Sequence, residues 1–184
     1  MAVGAFAQSE QKKSKYPMRF SVMLNAGISQ CRQPAFGFTV AHAGLFGYYV
    51  NAMIGLDNIH LSYDYHAAAD GSLMEGENAG TIPFYSGQRA HNHFAVTTGA
   101  IFRMGIPLYA YVGGGYAHRT ETRELLNRQW VQAASSLGHS GVVDVGLMSR
   151  VDNFSIMAGY ALYIGQQMNL YHEAKVGIGY TFNK

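Results

Sequence analysis

The chain has 184 residues, enough for one domain, and a formal net charge of +2, which excludes a strongly basic nucleic-acid binder. Charged residues make up only 13% of the chain, against roughly 25% in an average soluble domain, while aromatic residues also make up 13% and glycine contributes 22 residues. No stretch of about 18 apolar residues is present, so no transmembrane helix is encoded, and the single cysteine, Cys31, excludes an intrachain disulfide or a cysteine-based zinc site.

The N-terminal segment is predicted to be the end of a signal peptide. Residues 1–7 finish on the small-x-small sequence Ala5-Phe6-Ala7, which has the form of a signal-peptidase cleavage site. The mature protein would then start near Gln8, and an ordinary apolar N-terminal arm is the alternative. Residues 8–16 are polar and lysine-bearing and are expected to form a lead-in to the folded part, residues 17–184.

Alternation of apolar and polar residues predicts β-strands from residue 19 onward, because successive side chains of a strand point to opposite faces. In the first strand, for example, Val22 and Leu24 share one face and Met23 lies on the other. The same alternation recurs in eight segments, residues 19–28, 36–41, 48–56, 89–102, 108–119, 140–150, 154–163 and 173–182.

The connections between these predicted strands alternate in length. The second, fourth and sixth are tight turns near Gly44, Gly105 and Asp152. The third and fifth, within residues 67–87 and 120–138, are long and polar and are expected to be irregular. Bacterial outer-membrane barrels have an even number of strands, short periplasmic turns and longer external loops. The sequence therefore predicts an all-β fold, an eight-stranded antiparallel transmembrane β-barrel with both termini in the periplasm.

Two segments resemble a known group of proteins. The end of the chain, Gly177-Ile178-Gly179-Tyr180-Thr181-Phe182, and the glycine-rich strand Tyr109-Ala110-Tyr111-Val112-Gly113-Gly114-Gly115-Tyr116 are similar to the small outer-membrane β-barrels of the OmpA transmembrane-domain and OmpX type. The first segment resembles their assembly signal, although Val176 precedes it where a polar residue is usual and Asn183-Lys184 follow the final aromatic residue.

The resemblance implies a fold and a location but no activity. It implies residence in the bacterial outer membrane, contact with outer-membrane lipid, and recognition of the C-terminal strand by the outer-membrane assembly machinery. It implies neither catalysis nor a cofactor, since proteins of this architecture have diverse functions. An envelope protein partner is compatible with it.

The polar faces of the strands are predicted to line the lumen. An eight-stranded barrel is just wide enough to be filled by side chains, and an isolated buried charge is costly, so inward charges are expected to pair. A narrow conduit or an inner ligand site is the alternative. The charged residues expected to form this lumen ion-pair network are Arg19, Arg103, Arg119, Asp144, Arg150, Glu173 and Lys175.

Aromatic residues near the strand ends are predicted to lie at the two membrane–water interfaces, as in the aromatic girdles of membrane barrels. In a soluble barrel, these apolar faces would instead point inward. The predicted interfacial residues are Tyr48, Tyr116, Tyr160, Tyr180 and Phe182.

Histidine and acidic residues suggest two further hypotheses. His91 and His93 are two residues apart on a strand and can therefore chelate a metal ion, and His60, His66 and His118 are expected near the same rim. No third ligand follows at a diagnostic spacing. The simpler interpretation is that these histidines are polar residues at the rims of the strands. Barrel-type proteases and acyltransferases also place acidic and histidine residues at strand rims, and the residues available for that purpose are Asp57, Asp64, His60, His66, His91 and His93.

The interpretation we favour is a non-catalytic, structural or accessory envelope protein that acts through its external loops. Trp130, the only tryptophan, is the candidate recognition residue, because a large aromatic side chain in a polar loop packs against the rim or contacts a partner. The two alternatives are a soluble, secreted lipocalin-like barrel that binds a small apolar ligand and a narrow, porin-like pore.

Overall fold

The structure, a computed structural model, describes residues 16–29, 34–57, 62–134, 138–165 and 170–182. The predicted signal-peptide remnant and cleavage site, nearly all of the lead-in, and Cys31 lie outside these ranges. Within them, no helix is long and apolar enough to cross a membrane. The described strands are β1 (Arg19–Ser29), β2 (Pro34–Ala43), β3 (Phe46–Asp57), β4 (Tyr65–His66), β5 (Tyr85–Arg103), β6 (Leu108–Leu125), β7 (Trp130–Gln132), β8 (Gly138–Val151), β9 (Phe154–Gly165) and β10 (Leu170–Phe182).

Eight of these strands close into an antiparallel barrel. In order around it they are β1, β2, β3, β5, β6, β8, β9 and β10. The barrel closes because β10 pairs with β1, from Phe20↔Phe182 to Ser29↔Glu173. At one end the connections are short, namely Gly44–Leu45, residues 104–107 and residues 152–153. The predicted eight-stranded antiparallel barrel with three tight turns is confirmed.

The outer face of the barrel is apolar. Leu24, Val176 and Ile178 are 72%, 60% and 62% exposed, and the other outward side chains along these strands are of the same character. Side chains of this kind, repeated around a closed barrel, form the apolar belt that meets lipid in a transmembrane barrel. A soluble lipocalin-like barrel would turn them inward, so that alternative does not fit this fold.

The interior is less polar than the alternation predicts. Serine, threonine, asparagine and charged side chains do point inward, but so do apolar and aromatic residues of the same strand faces. An eight-stranded lumen has to be filled by side chains, and methionine and tyrosine supply the necessary volume. The larger apolar and aromatic residues buried in the lumen are Met23, Tyr49, Met53, Ile101, Tyr109, Tyr111, Met148, Met157, Tyr163 and Tyr171.

The expectation that residues 67–87 and 120–138 are irregular is wrong in part. Strand β5 already begins at Tyr85, β6 continues to Leu125, and β7 folds back onto the end of β6. Strand β4 then pairs with β7 in parallel. We call this folded region, residues 62–90 and 120–134, the outer extension.

Candidate functional site

The centre of the lumen holds a buried ion pair between β8 and β10. The Nζ of Lys175 lies 2.7 Å from Oδ2 of Asp144, and the side chains are 1% and 0% exposed. The same carboxylate oxygen accepts hydrogen bonds from Thr97 Oγ1 at 2.9 Å and Tyr49 Oη at 3.2 Å. Three donors on one carboxylate oxygen compensate much of the cost of burying its charge.

This pair forms because the intervening strand leaves space for it. Strand β9 lies between β8 and β10, and there Ala161 stands opposite Asp144 while Gly159 stands opposite Lys175. Both are small, so the two charged side chains meet in front of β9.

Glu173 lies in the same lumen, one inward position from Lys175 along β10. Its carboxylate is 3.7 Å from Nδ1 of His93. The His93 ring packs edge-on against Tyr163, with ring centroids 4.8 Å apart. At the outer end of this layer, the Arg119 guanidinium lies 4.3 Å from the centroid of the Tyr171 ring.

The remaining predicted lumen charges lie towards the tight-turn end. Arg150 donates a hydrogen bond of 2.8 Å from Nη1 to the Ala43 carbonyl, and its guanidinium lies 4.9 Å from the Tyr109 ring centroid. Arg103 lies over the same ring and donates to the Gly105 carbonyl. Arg19 is half-buried at the start of β1.

The structure therefore brings Asp144 and Lys175 into direct contact and places Glu173 beside His93. The four predicted arginines are distributed between the two ends of the lumen. Sequence reasoning missed the aromatic rings that receive these guanidinium groups, although each ring stands on the inward face of an alternating strand.

The lumen is packed rather than open. The Tyr111 side chain extends to β8 and β9, where its hydroxyl reaches the positions that a Cβ would occupy at Gly146 and Gly159. Two lumen cavities, one bordered by Tyr111 and one by Tyr163, each hold about 10 Å³, about the space of one water molecule. Among the described residues, these dimensions leave no room for a conduit or an inner ligand beside Tyr111 and Tyr163.

The outer extension has its own apolar cluster. Ala67, Leu73, Leu125 and Val131 are buried together, and Tyr65 and Tyr85 pack against them. Main-chain hydrogen bonds join its two halves, including Asp64 N–H to the Trp130 carbonyl at 2.8 Å and Ala67 N–H to the Gln132 carbonyl at 2.9 Å. The extension is thus a small folded unit above the barrel.

Trp130, the predicted recognition residue, belongs to β7 rather than to an irregular loop. Its side chain is half-buried, and its backbone N–H donates to Asp64 Oδ2 at 2.9 Å. The sequence does contain a signal that β6 continues into this region. Thr120 and Thr122 continue the two-residue alternation of residues 108–119, and β-branched residues favour strands.

A groove opens in the outer extension beside this cluster. Its volume is about 840 Å³. Tyr65, Leu73 and Leu125 line its floor, residues 75–78 and 81–84 line one side, and Leu126, Asn127 and Gln129 line the other. Sequence reasoning did not find this groove, because its sides come together only through the pairing of β5 with β6.

The histidines expected near one rim lie at separate places. His66 Nδ1 is 2.8 Å from Glu75, His91 is 3.7 Å from Glu121, and His93 is inside the lumen beside Glu173. His118 faces His139 on the outer surface of the barrel. His60 and the side chain of Asp57 lie outside the described part of the chain. Among the described residues, no group of three potential ligands is close enough to hold a metal ion.

The five predicted interfacial aromatics all lie on the outer face. The side chains of Tyr48, Tyr116, Tyr160, Tyr180 and Phe182 are between 44% and 58% exposed. Two of the tyrosines contact histidines, Tyr116 with His139 and Tyr160 with His172. Rings of this kind, with an apolar body and a polar tip, suit the boundary between lipid and water.

The closed eight-stranded barrel, its apolar belt and its packed lumen are the architecture of a small transmembrane β-barrel. No protein-family model matches the chain. No curated protein matches it either.

Solved structures of small outer-membrane barrels share its fold. Ail, the attachment invasion locus protein of Yersinia pestis, solved in complex with the heparin analogue sucrose octasulfate, is similar at 15% identity with a TM-score of 0.59, over 91% of this chain and 99% of that one. The N-terminal β-barrel domain of Pseudomonas aeruginosa OprF is similar at 15% identity with a TM-score of 0.53, over 90% and 100%. A major outer membrane protein of Thermus thermophilus is similar at 10% identity with a TM-score of 0.50, over 90% and 100%. At these identities the likeness concerns the fold.

Proposed function

We propose that the protein is a non-catalytic, accessory protein of the outer membrane and that it acts through its outer extension. The observation that carries this proposal is the folded outer unit, with its own apolar cluster and open groove, above a packed lumen. Loops on a rigid scaffold usually carry binding, and pre-ordering of a binding surface reduces the entropy lost when a partner binds.

The charges inside the barrel have a structural role in this proposal. Asp144 with Lys175, and Glu173 with His93, join strands across the lumen. The exposed aromatic residues Tyr180 and Phe182 at the end of β10 are proposed to contact the assembly machinery before β10 pairs with β1. The partner of the outer extension is proposed to be another molecule of the cell envelope or one that meets the cell surface.

The test is a trimmed chain that keeps the barrel register. Asp57 pairs with His91, and Arg119 pairs with Gly138. Residues 58–90 and 120–137 are therefore each replaced by a short glycine-serine turn, which connects residues that are already paired. The trimmed chain should insert and keep its heat-modifiable mobility in gels, because it keeps the β5–β6 pairs from His93↔Arg119 to Arg103↔Tyr109 and loses only the outer ones, from Tyr85↔Leu125 to Asn92↔Thr120.

The trimmed chain is then compared with the full chain in a strain that lacks the protein. The full chain should restore the envelope phenotype of the deletion, and the trimmed chain should not. Full complementation by the trimmed chain would place the function in the barrel itself. Steady single-channel conductance of the full chain in planar bilayers would favour the pore alternative.

A further inference from the structure

The groove of the outer extension combines apolar walls with negative charge. Ile82, Phe84 and Leu126 are 68%, 80% and 69% exposed, although each is a large apolar residue. An exposed apolar patch with a polar rim is typical of an interaction site. Among the described residues that line the groove, the charged ones are Glu75 and Glu77.

The two carboxylates differ in their contacts. Glu75 accepts from His66 at 2.8 Å. Within the described part of the chain, Glu77 has no hydrogen bond or ion pair with another residue. The groove thus has a carboxylate available for an incoming cation, and none of the described residues that line it is cationic. Asn78 adds an amide group that can bind a peptide main chain.

The shape of the groove is set before any ligand arrives. The Leu73 N–H donates to the Thr81 carbonyl and the Gly80 N–H to the Leu73 carbonyl, at 2.9 and 2.8 Å, which holds the first side in place. On the other side, Gln129 Nε2 donates to Tyr65 Oη at 3.2 Å. Gly76 has a φ of +89°, and a Cβ there would lie 2.8 Å from the Tyr65 ring, so glycine permits this close approach.

We propose that this groove binds an extended peptide segment that carries basic and apolar side chains in alternation. This inference rests on the proposed function of the outer extension and specifies the chemical class of its partner. A basic side chain pairs with Glu77, apolar side chains cover Phe84, Ile82 and Leu126, and the amide of Asn78 binds the main chain. A volume of about 840 Å³ is in the range of sites that hold a ligand of a few residues.

The charge of the groove argues against a polyanionic ligand. Ail was solved with a polysulfated heparin analogue, but a sulfated ligand in this groove would face the carboxylates of Glu75 and Glu77. Lipid is disfavoured too, because Ser86, Gln88 and Arg89, which are exposed and polar, separate the groove from the apolar belt along β5.

The experiment uses the full chain in nanodiscs of zwitterionic lipid, with empty nanodiscs as the blank. The probe is a fluorescent peptide of alternating lysine and leucine or phenylalanine, followed by anisotropy. In one matched peptide glutamate replaces lysine, and in another serine replaces the apolar residues. We expect the first peptide to bind and both matched peptides to bind at least about tenfold more weakly, since each lacks one of the two complementary features.

Substitutions in the groove identify the site. Glu77→Gln should weaken the affinity about twofold to fivefold, as for one partly exposed ion pair, and added salt should reduce the difference. Phe84→Ser should weaken it about tenfold, because a large apolar contact is lost. Asp70→Asn is the matched control, an exposed carboxylate of the same extension outside the groove lining, and it should leave the affinity unchanged.

Two results would overturn the inference. One is equal binding of the lysine and glutamate peptides, because the groove carboxylates would then contribute nothing to recognition. The other is normal affinity in both Glu77→Gln and Phe84→Ser. The complementation experiment tests the proposed function independently of this peptide inference. The proposed function stands if the trimmed chain fails to complement the deletion, and it is wrong if the trimmed chain complements fully.

Discussion

The buried pair between Asp144 and Lys175 gives the sharpest test of how the lumen is stabilised. At a separation of 2.7 Å and an effective dielectric constant of about 20, two unit charges attract by about 6 kcal/mol. Much of this offsets the cost of taking both charges out of water. Asp144→Asn keeps the size and polarity of the side chain but leaves the Lys175 ammonium buried without its counter-charge. The expected loss of unfolding free energy is about 3–5 kcal/mol.

The measurement is a urea titration of the protein folded in lipid vesicles, read as the fraction of the heat-modifiable band in gels. Asp144→Asn should shift the midpoint strongly, and so should Lys175→Met. The double variant should be more stable than the sum of the two single losses predicts, because it leaves no unpaired charge. Glu77→Gln, which removes an exposed charge, is the control and should leave the midpoint in place.

A different result would refute the reasoning. If Asp144→Asn and Lys175→Met unfold at the wild-type midpoint, the pair is hydrated and contributes nothing measurable. If the two losses add in the double variant, the cost comes from packing and not from an unpaired charge.

Three further predictions concern the belt, the lumen packing and the outer extension. Cysteine at position 178, in a chain with Cys31 replaced by serine, should react with a lipid-soluble maleimide and resist a water-soluble one; equal labelling by both would contradict a lipid-facing Ile178. Gly159→Ala should destabilise the barrel by about 1–3 kcal/mol through overlap with the Tyr111 hydroxyl, and Tyr111→Phe should restore most of the loss in a urea titration. At the outer end of β6, the neighbouring His91 and then the Arg123 guanidinium lower the pKa of Glu121 from 4.5 to about 2. Because the ionised form is favoured in the folded state, the stability it adds is present above pH 4.5 and is lost as the pH falls towards 2. Trp130 fluorescence should report local opening of the extension in that window, and Glu121→Gln should reduce this pH dependence.

The barrel was predictable because its signal is local. A strand in a membrane barrel has lipid on one face and the lumen on the other, so residues such as Val176 and Ile178 alternate with inward residues wherever the strand crosses the apolar belt. The turn residues Gly44 and Asp152 lie between these alternating segments. Neither feature depends on knowledge of which strands are neighbours.

The parts that sequence reasoning missed depend on non-local pairing. Beyond the belt, residues 86–88 of β5 are all exposed, so Ser86, Gly87 and Gln88 lack the alternation of apolar and polar side chains. Alternation also predicts which face of the strand a side chain occupies. It does not predict the depth of that side chain in the lumen or the residues that it contacts on other strands. The contact between Asp144 and Lys175 follows from the register of β8, β9 and β10, and the groove follows from the packing of Tyr65 against the turn after β6.

The length of β5 determines how far the outer extension stands from the membrane. Its 19 residues, at about 3.3 Å each and tilted by about 40°, rise about 48 Å along the barrel axis. The apolar band of such barrels is about 25 Å tall, so β5 projects about 20 Å beyond it. At this height the groove stands clear of the lipid headgroups and is accessible to molecules approaching from outside the cell. An antibody fragment or protease added to intact cells should therefore reach the tip of the extension before it reaches any other part of the barrel.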